Sequence, residues 1–180
     1  MRAQSLLLAV ALLAVTAASS RAQVVAVSGG PSNDPGTYVL LANGDFYRGF
    51  NGAWGFGGNV ISKAGGGCSG STRAVGLAIA SNGGNGWMFA LTAEGDVLVV
   101  ASQGLVVSCH VNVFAATGRP PGVMGALGSN ASGGIFATTT TGETYRFYET
   151  NVPGVEYIGG FGVPTPALRE SAGQLKVRYR

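Results

Sequence analysis

The chain has 180 residues, 31 of them Gly, with 46% hydrophobic and 11% charged residues and a formal net charge of +3. That composition excludes a disordered chain, which would be poorer in apolar residues and richer in charge, and the lack of a Gly triplet excludes collagen. With 2 Cys and 1 His, no metal site that needs several such ligands can be assembled, and the length fits one domain.

The first element is a secretion signal over residues 1–22. Arg2 supplies a short positive region, and residues 6–18 are Leu, Ala and Val with one Thr. Ser20-Arg21-Ala22 then places small residues three and one before a cut. Signal peptidase reads that order. The apolar run is shorter than the roughly 20 residues of a spanning helix, and no later segment is apolar enough to span a membrane. The expected location is secreted, or periplasmic or cell-envelope. Loss of Arg2 and Arg21 takes Lys plus Arg from 11 to nine against 8 acids, a net charge of +1. Four of those nine, Arg169, Lys176, Arg178 and Arg180, fall at the C-terminal end. The body before them lacks the basic footprint of a nucleic-acid binder.

Residues 23–162 read as a threefold repeat. Ser-Asn occurs at Ser32-Asn33, Ser81-Asn82 and Ser129-Asn130, and a Gly-acid pair follows each time, at Gly44-Asp45, Gly95-Asp96 and Gly142-Glu143. Both markers share a period of about 48 residues, which defines units of about 24–73, 74–122 and 123–162. Each unit predicts four short strands. The first strands are 24–27, 75–79 and 123–127, and the second are 38–41, 88–91 and 135–138. Tight turns at Asn43-Gly44, Glu94-Gly95 and Thr141-Gly142 join these to third strands at 46–48, 97–100 and 144–148. Asn-Gly between apolar runs is a strong hairpin signal, because both central positions favour positive φ. The fourth strands are weaker, at 54–56, 105–109 and 155–158. No helix is predicted between Gln23 and Gly162, given the density of Gly, Asn and β-branched residues.

Four strands in about 48 residues is the size of a β-propeller blade. The run Tyr38-Val39-Leu40-Leu41-Ala42-Asn43-Gly44-Asp45-Phe46-Tyr47-Arg48, followed by Trp54 and Gly58-Asn59-Val60, resembles the blades of secreted bacterial β-propeller-type repeat proteins. The third unit matches from Ala137 to Arg146. The second departs, with Leu98-Val99 where the others have Tyr-Arg and no Trp in its fourth strand. The resemblance covers nearly all of residues 24–162 and implies an all-β, propeller-like fold of three four-stranded units, without carrying over any catalytic residue. The stretch Ser32-Asn33-Asp34-Pro35-Gly36-Thr37-Tyr38 resembles a shortened Asp-box, the turn motif of sialidase-type propellers, and implies turn chemistry. A β-trefoil-like or β-prism-like threefold fold is the alternative, although the lectin signatures Gln-x-Trp and Gln-x-Asp-x-Asn are absent.

Residues with chemistry are few. His110 is the lone histidine and follows Cys109 in an apolar strand. Adjacent strand residues point to opposite faces, so the two cannot act as a catalytic pair. No Gly-x-Ser-x-Gly elbow occurs, and Gly65-Gly66-Gly67-Cys68-Ser69-Gly70 lacks the ending of a phosphate loop. Asp45, Asp96 and Glu143 directly follow turn glycines, where an acid caps a hairpin. Tyr47-Arg48 and Tyr145-Arg146 recur at equivalent strand positions, and Trp54 and Trp87 add aromatics of an exposed type. Aromatic faces with nearby Arg hold sugar rings or peptides, so Tyr47, Arg48, Trp54, Trp87, Tyr145 and Arg146 are the candidate ligand-binding residues. The competing reading is aromatic packing inside and Arg solubility outside. Outside the cytosol, Cys68 and Cys109 are expected to form a disulfide.

The expected function is that of a secreted, non-enzymatic binding or scaffolding protein for an extracellular glycan or protein, with no cofactor. A lectin-like glycan-binding module and a glycoside hydrolase using Asp45, Asp96 and Glu143 are the alternatives. Closed propellers have roughly 4–8 blades, so three units predict a homodimer that completes a six-unit ring. Residues 163–180 read as a Pro-containing linker and a basic amphipathic tail. Pro164-Thr165-Pro166 breaks the β pattern, and Leu168, Ala172, Leu175 and Tyr179 then form one stripe of a short helix. Such a helix would form against the repeat array or an anionic surface.

Overall fold

The computed structural model describes residues 23–30, 35–65, 68, 70–80, 87–101, 106–130, 132–148 and 154–161. The expected signal segment 1–22 and tail 163–180 lie outside the described residues. The described residues form three four-stranded antiparallel sheets, each ordered along the chain, in a β-propeller-like repeat fold. The first sheet holds β1 (Val24–Gly29), β2 (Thr37–Leu41), β3 (Asp45–Phe50) and β4 (Ala53–Asn59). The second holds β5 (Ala74–Ala80), β6 (Trp87–Thr92), β7 (Asp96–Val100) and β8 (Val107–Asn112). The third holds β9 (Met124–Ser129), β10 (Gly134–Thr139), β11 (Glu143–Tyr148) and β12 (Val155–Gly160).

The repeat extends to single backbone bonds. Gly44, Gly95 and Gly142 lie at φ +88°, +91° and +91°, which only Gly adopts cheaply. Their carbonyls accept from the amides of Val60, Val113 and Phe161 at 2.8, 2.9 and 2.8 Å, which ties each central hairpin to the end of its fourth strand. A β-bulge recurs in every first strand, at Val25, Val75 and Gly125, and in every fourth strand, at Gly57, His110 and Ile158. Bulges bend and twist the strands that carry them.

Two short helices correct the expectation of a helix-free domain. α1 (Val60–Lys63) follows β4 and α2 (Val113–Thr117) follows β8. They are four and five residues long, too short to leave a 3.6-residue periodicity in the sequence. Asn caps produce them. The Asn59 side chain accepts from the Ser62 amide, and the Asn112 side chain from the Phe114 and Ala115 amides. The fourth strand of the second unit also runs later than expected and ends at Asn112.

The sheets stack face on face around two apolar clusters. The first joins Tyr38, Leu40 and Phe46 of the first sheet to Met88, Ala90, Leu98 and Val100 of the second. The second joins Phe89, Leu91, Val97 and Val99 to Ile135, Ala137, Tyr145 and Phe147 of the third. Each enclosed Leu or Phe contributes about 1.5–3 kcal/mol relative to exposure. β7 is buried along its whole length because it is covered on both faces. That accounts for the departure of the second unit: a doubly covered strand reads as a continuous apolar run, and Leu98-Val99 replaces Tyr-Arg.

Cross-strand pairing defines a leading face, which packs on the preceding sheet, and a trailing face, which receives the next. The leading rows are Val27–Val39–Tyr47–Phe56, Leu77–Ala90–Leu98–Cys109 and Leu127–Ala137–Tyr145–Tyr157. Cys109 is bonded to Cys68 with a Cα separation of 5.5 Å, so the connection between the first two sheets is anchored to β8.

Two outcomes follow for stability. Asn112→Ala removes the α2 cap and a donor to the buried Asp96 carboxylate, and is expected to cost about 1–3 kcal/mol in urea unfolding. An unchanged midpoint would refute the role given to the cap. The disulfide closes a separation of 41 residues, for which loop entropy gives roughly 4 kcal/mol. The thermal midpoint should therefore fall sharply when reductant is added, and a Cys68→Ser/Cys109→Ser chain should no longer respond to reductant.

Candidate functional site

The three repeat-matched acids stand at one end of the array, and each is held by a polar side chain. Asp45 Oδ1 accepts from Asn59 Nδ2 at 3.0 Å, and that amide also donates to the Asn43 carbonyl at 2.8 Å. Asn43 Nδ2 donates to Asp45 Oδ2 at 2.8 Å. In the second sheet Asp96 Oδ1 accepts from Asn112 Nδ2 at 2.7 Å, and Asp96 Oδ2 accepts from the Ser71 hydroxyl. The sequence marks these acids as hairpin caps, while the Asn partners of Asp45 and Asp96 lie 14 and 16 residues downstream and leave no local signal.

The third sheet solves the same place differently. Gly160 stands where Asn59 and Asn112 stand, and Glu143 pairs instead with Arg119, Nη2 to Oε1 at 2.7 Å. The Arg119 guanidinium also lies 3.7 Å from the centre of the Tyr157 ring. Its hydrogen bond to Glu143 holds it protonated more firmly than usual. Burial, then the charge of Glu143, pushes the neighbouring Tyr145 phenol up.

The six candidate ligand residues are not brought together. Tyr47 is half-buried on the leading face of the first sheet, its ring 5.3 Å from that of Phe56. Arg48 is on the opposite face with its guanidinium 5.4 Å from the Phe50 ring centre. Trp54 is 58% exposed, and its ring lies against the α-carbon of Gly49, where any side chain would collide with it. Trp87 opens β6 at the same end of the array as Trp54, and is also exposed. Tyr145 is fully buried between the second and third sheets, which removes it from any ligand surface. Arg146 pairs with Glu156 on the trailing face of the third sheet.

What the first sheet does present is a cleft of about 360 Å³ at its loop end, lined by Thr37, Phe50, Asn51 and Trp54 among others. Phe50 and Phe56 escaped the sequence reading. Their signal was the spacing Phe50-x-x-x-Trp54-x-Phe56 around the Asn51-Gly52 turn, where Asn51 itself adopts φ 49°.

His110 is the bulged residue of β8, set edge-on to Phe89 with ring centres 5.8 Å apart. Cys109 opposite it is in the disulfide. Among the described residues no group of three or more His, Cys, Asp or Glu side chains converges, and no helix is long and apolar enough to cross a membrane.

Comparison with protein-family models and with curated proteins gave no match. Among solved structures, YCF48 from Cyanidioschyzon merolae is similar over 81% of this chain, at 17% identity and a TM-score of 0.48. The chain spans 50% of the length of that protein.

Burial pushes the His110 imidazole below its ordinary value of 6.5. The unfolded chain therefore binds this proton more readily than the folded one. The stability that the neutral ring supports is complete above about pH 6.5 and is lost as pH falls through the folded value. His110→Gln is expected to flatten the decline of the thermal midpoint on the acid side. Parallel curves for the two proteins would rule this linkage out.

Proposed function

We propose that the chain is a secreted, non-enzymatic binding protein whose ligand contact is the aromatic hairpin tip of the first sheet. The observation that carries this reading is the cleft of about 360 Å³ lined by Phe50 and Trp54, whose rings are 45% and 58% exposed. Its size lies within the roughly 300–1,000 Å³ of small-ligand sites. Exposed rings supply contact area at low entropic cost. Thr37 and Asn51 add polar residues to the cleft lining.

A binding role is also supported by the state of the acids. Hydrolysis of a glycoside needs one carboxyl group to donate a proton and a second to act as base or nucleophile. Asp45 and Asp96 are instead occupied by Asn donors that end β4 and β8, Asp96 also by Ser71, and Glu143 by Arg119. Export is supported by the order of charge, apolar run and small residues in 1–22, and by a disulfide between the two Cys residues.

A narrower reading, a lectin-like glycan module, is favoured by the mix of ring faces and hydroxyl or amide edges, which suits a sugar ring. A glycan array with purified protein tests it, followed by calorimetry on any hit. Trp54→Ala and Phe50→Ala are each expected to weaken binding roughly tenfold or more while leaving the thermal midpoint nearly unchanged, because both rings are exposed. Binding that survives both substitutions would place the ligand elsewhere. Sugar cleavage that is lost in Asp45→Asn or Asp96→Asn would replace the binding reading with the hydrolase.

A further inference from the structure

The chain contains its own template for an interface. Twice, a leading row packs on the trailing face of the sheet before it, and in doing so Leu98, Ala137 and Tyr145 fall to 0% exposure. The first sheet carries the same row in the same register, yet among the described residues nothing lies on it. Val27 and Phe56, at the two ends of that row, are 64% and 63% exposed. Tyr47 is the repeat equivalent of Tyr145, and among the described residues no sheet packs against it. An apolar strip across all four strands of a sheet is the kind of surface that marks an interaction site rather than scattered surface residues.

We infer that this face is covered by the third sheet of a second copy of the chain, and that two copies close a ring of six sheets. Three observations select that occupant. Among the described residues no further sheet stacks on the trailing face of the third sheet, where Thr144 is buried, Phe136 half-buried and Glu156 exposed. It keeps one cross-strand pair of a receiving face. Tyr38 and Arg48 pair across β2 and β3 on the trailing face that takes the second sheet, and Phe136 and Arg146 pair at the equivalent place in the third. Finally, the contact is head-to-tail, and such contacts leave no open end only when the rotation closes. Two copies present two such seams and use every leading and trailing face, which brings the sheet count within the roughly 4–8 of closed propellers. A pairing of two leading faces would leave both trailing faces open.

Sedimentation equilibrium on the purified protein at micromolar concentration is expected to give twice the chain mass. Phe56→Glu, on the leading face, and Phe136→Glu, on the trailing face, should each raise the dissociation constant at least roughly tenfold, with unchanged circular dichroism. Mixing the two variants should restore association through the one seam in which both faces are native. Because Phe136 is half-buried, Glu156→Lys on the exposed outer strand provides a second trailing-face variant. A wild-type monomer overturns the inference. So does a dimer that is lost with Phe56→Glu but indifferent to both trailing-face changes, which would mean that leading faces pair with each other. Open-ended filaments overturn closure at two copies. A monomer that associates only when residues 163–180 are deleted assigns the face to that tail instead.

Discussion

A sheet has two faces, and an apolar face left in water costs about 25 cal/mol for each Å². Three stacked sheets have six faces, of which stacking covers only four. That constraint organises the molecule. It makes β7, covered on both sides, a continuous apolar run, and it gives β2 its alternation of buried Tyr38 and Leu40 with half-buried Val39 and Leu41. It also leaves the two outermost faces as the places where the chain must differ from its own repeat or meet something else.

Stacking would not be specific without a fixed register, and the turn glycines provide it. Each one reverses the chain at positive φ and offers its carbonyl to the end of the fourth strand. The next sheet is then bonded on two residues before the glycine: the Ala74 amide donates to the Ala42 carbonyl, and the Met124 amide to the Ala93 carbonyl, each at 2.9 Å. One backbone feature thus sets hairpin, strand four and the entry of the following sheet. The acids beside these glycines serve that junction, since their oxygens satisfy the Asn and Arg groups that clamp it. Gly76 adds a close approach between first strands, where a side chain would strike the backbone of Leu127.

Much of this was legible in the sequence, and the limits of legibility are physical. The period, the turns and most strands follow from local chemistry, because positive φ demands Gly and strands demand β-branched or aromatic residues. The two helices were not legible, because a single capped turn has no periodicity. The candidate site was least legible of all. Tyr47 and Tyr145 occupy the same place in the same motif, yet one is half-exposed and the other fully enclosed. A repeat encodes which face a residue points to; the position of its unit in the stack decides whether that face is covered. Reading the Tyr-Arg pairs as one binding set treated equivalent positions as equivalent environments.

The third unit shows how an end sheet is altered. Where the first two sheets place Leu40 and Phe46, then Leu91 and Val97, on their trailing faces, the third places Thr138 and Thr144. Thr keeps the β-branched shape that a strand favours, while its hydroxyl would be costly inside a dry cluster without a partner. Here the two hydroxyls lie 3.4 Å apart, and that of Thr144 also donates to the Gly142 carbonyl. The face is therefore more polar than its counterparts, with Thr144 itself buried, while keeping the aromatic of Phe136. The first sheet has no such softening: Val27, Val39, Tyr47 and Phe56 form an apolar row as suited to burial as those of the inner seams. The polarity of the two ends is thus unequal, and the demand for a partner rests chiefly on the first sheet. The geometry of any assembly must be set there, because an apolar face specifies contact while a Thr-rich one merely permits it.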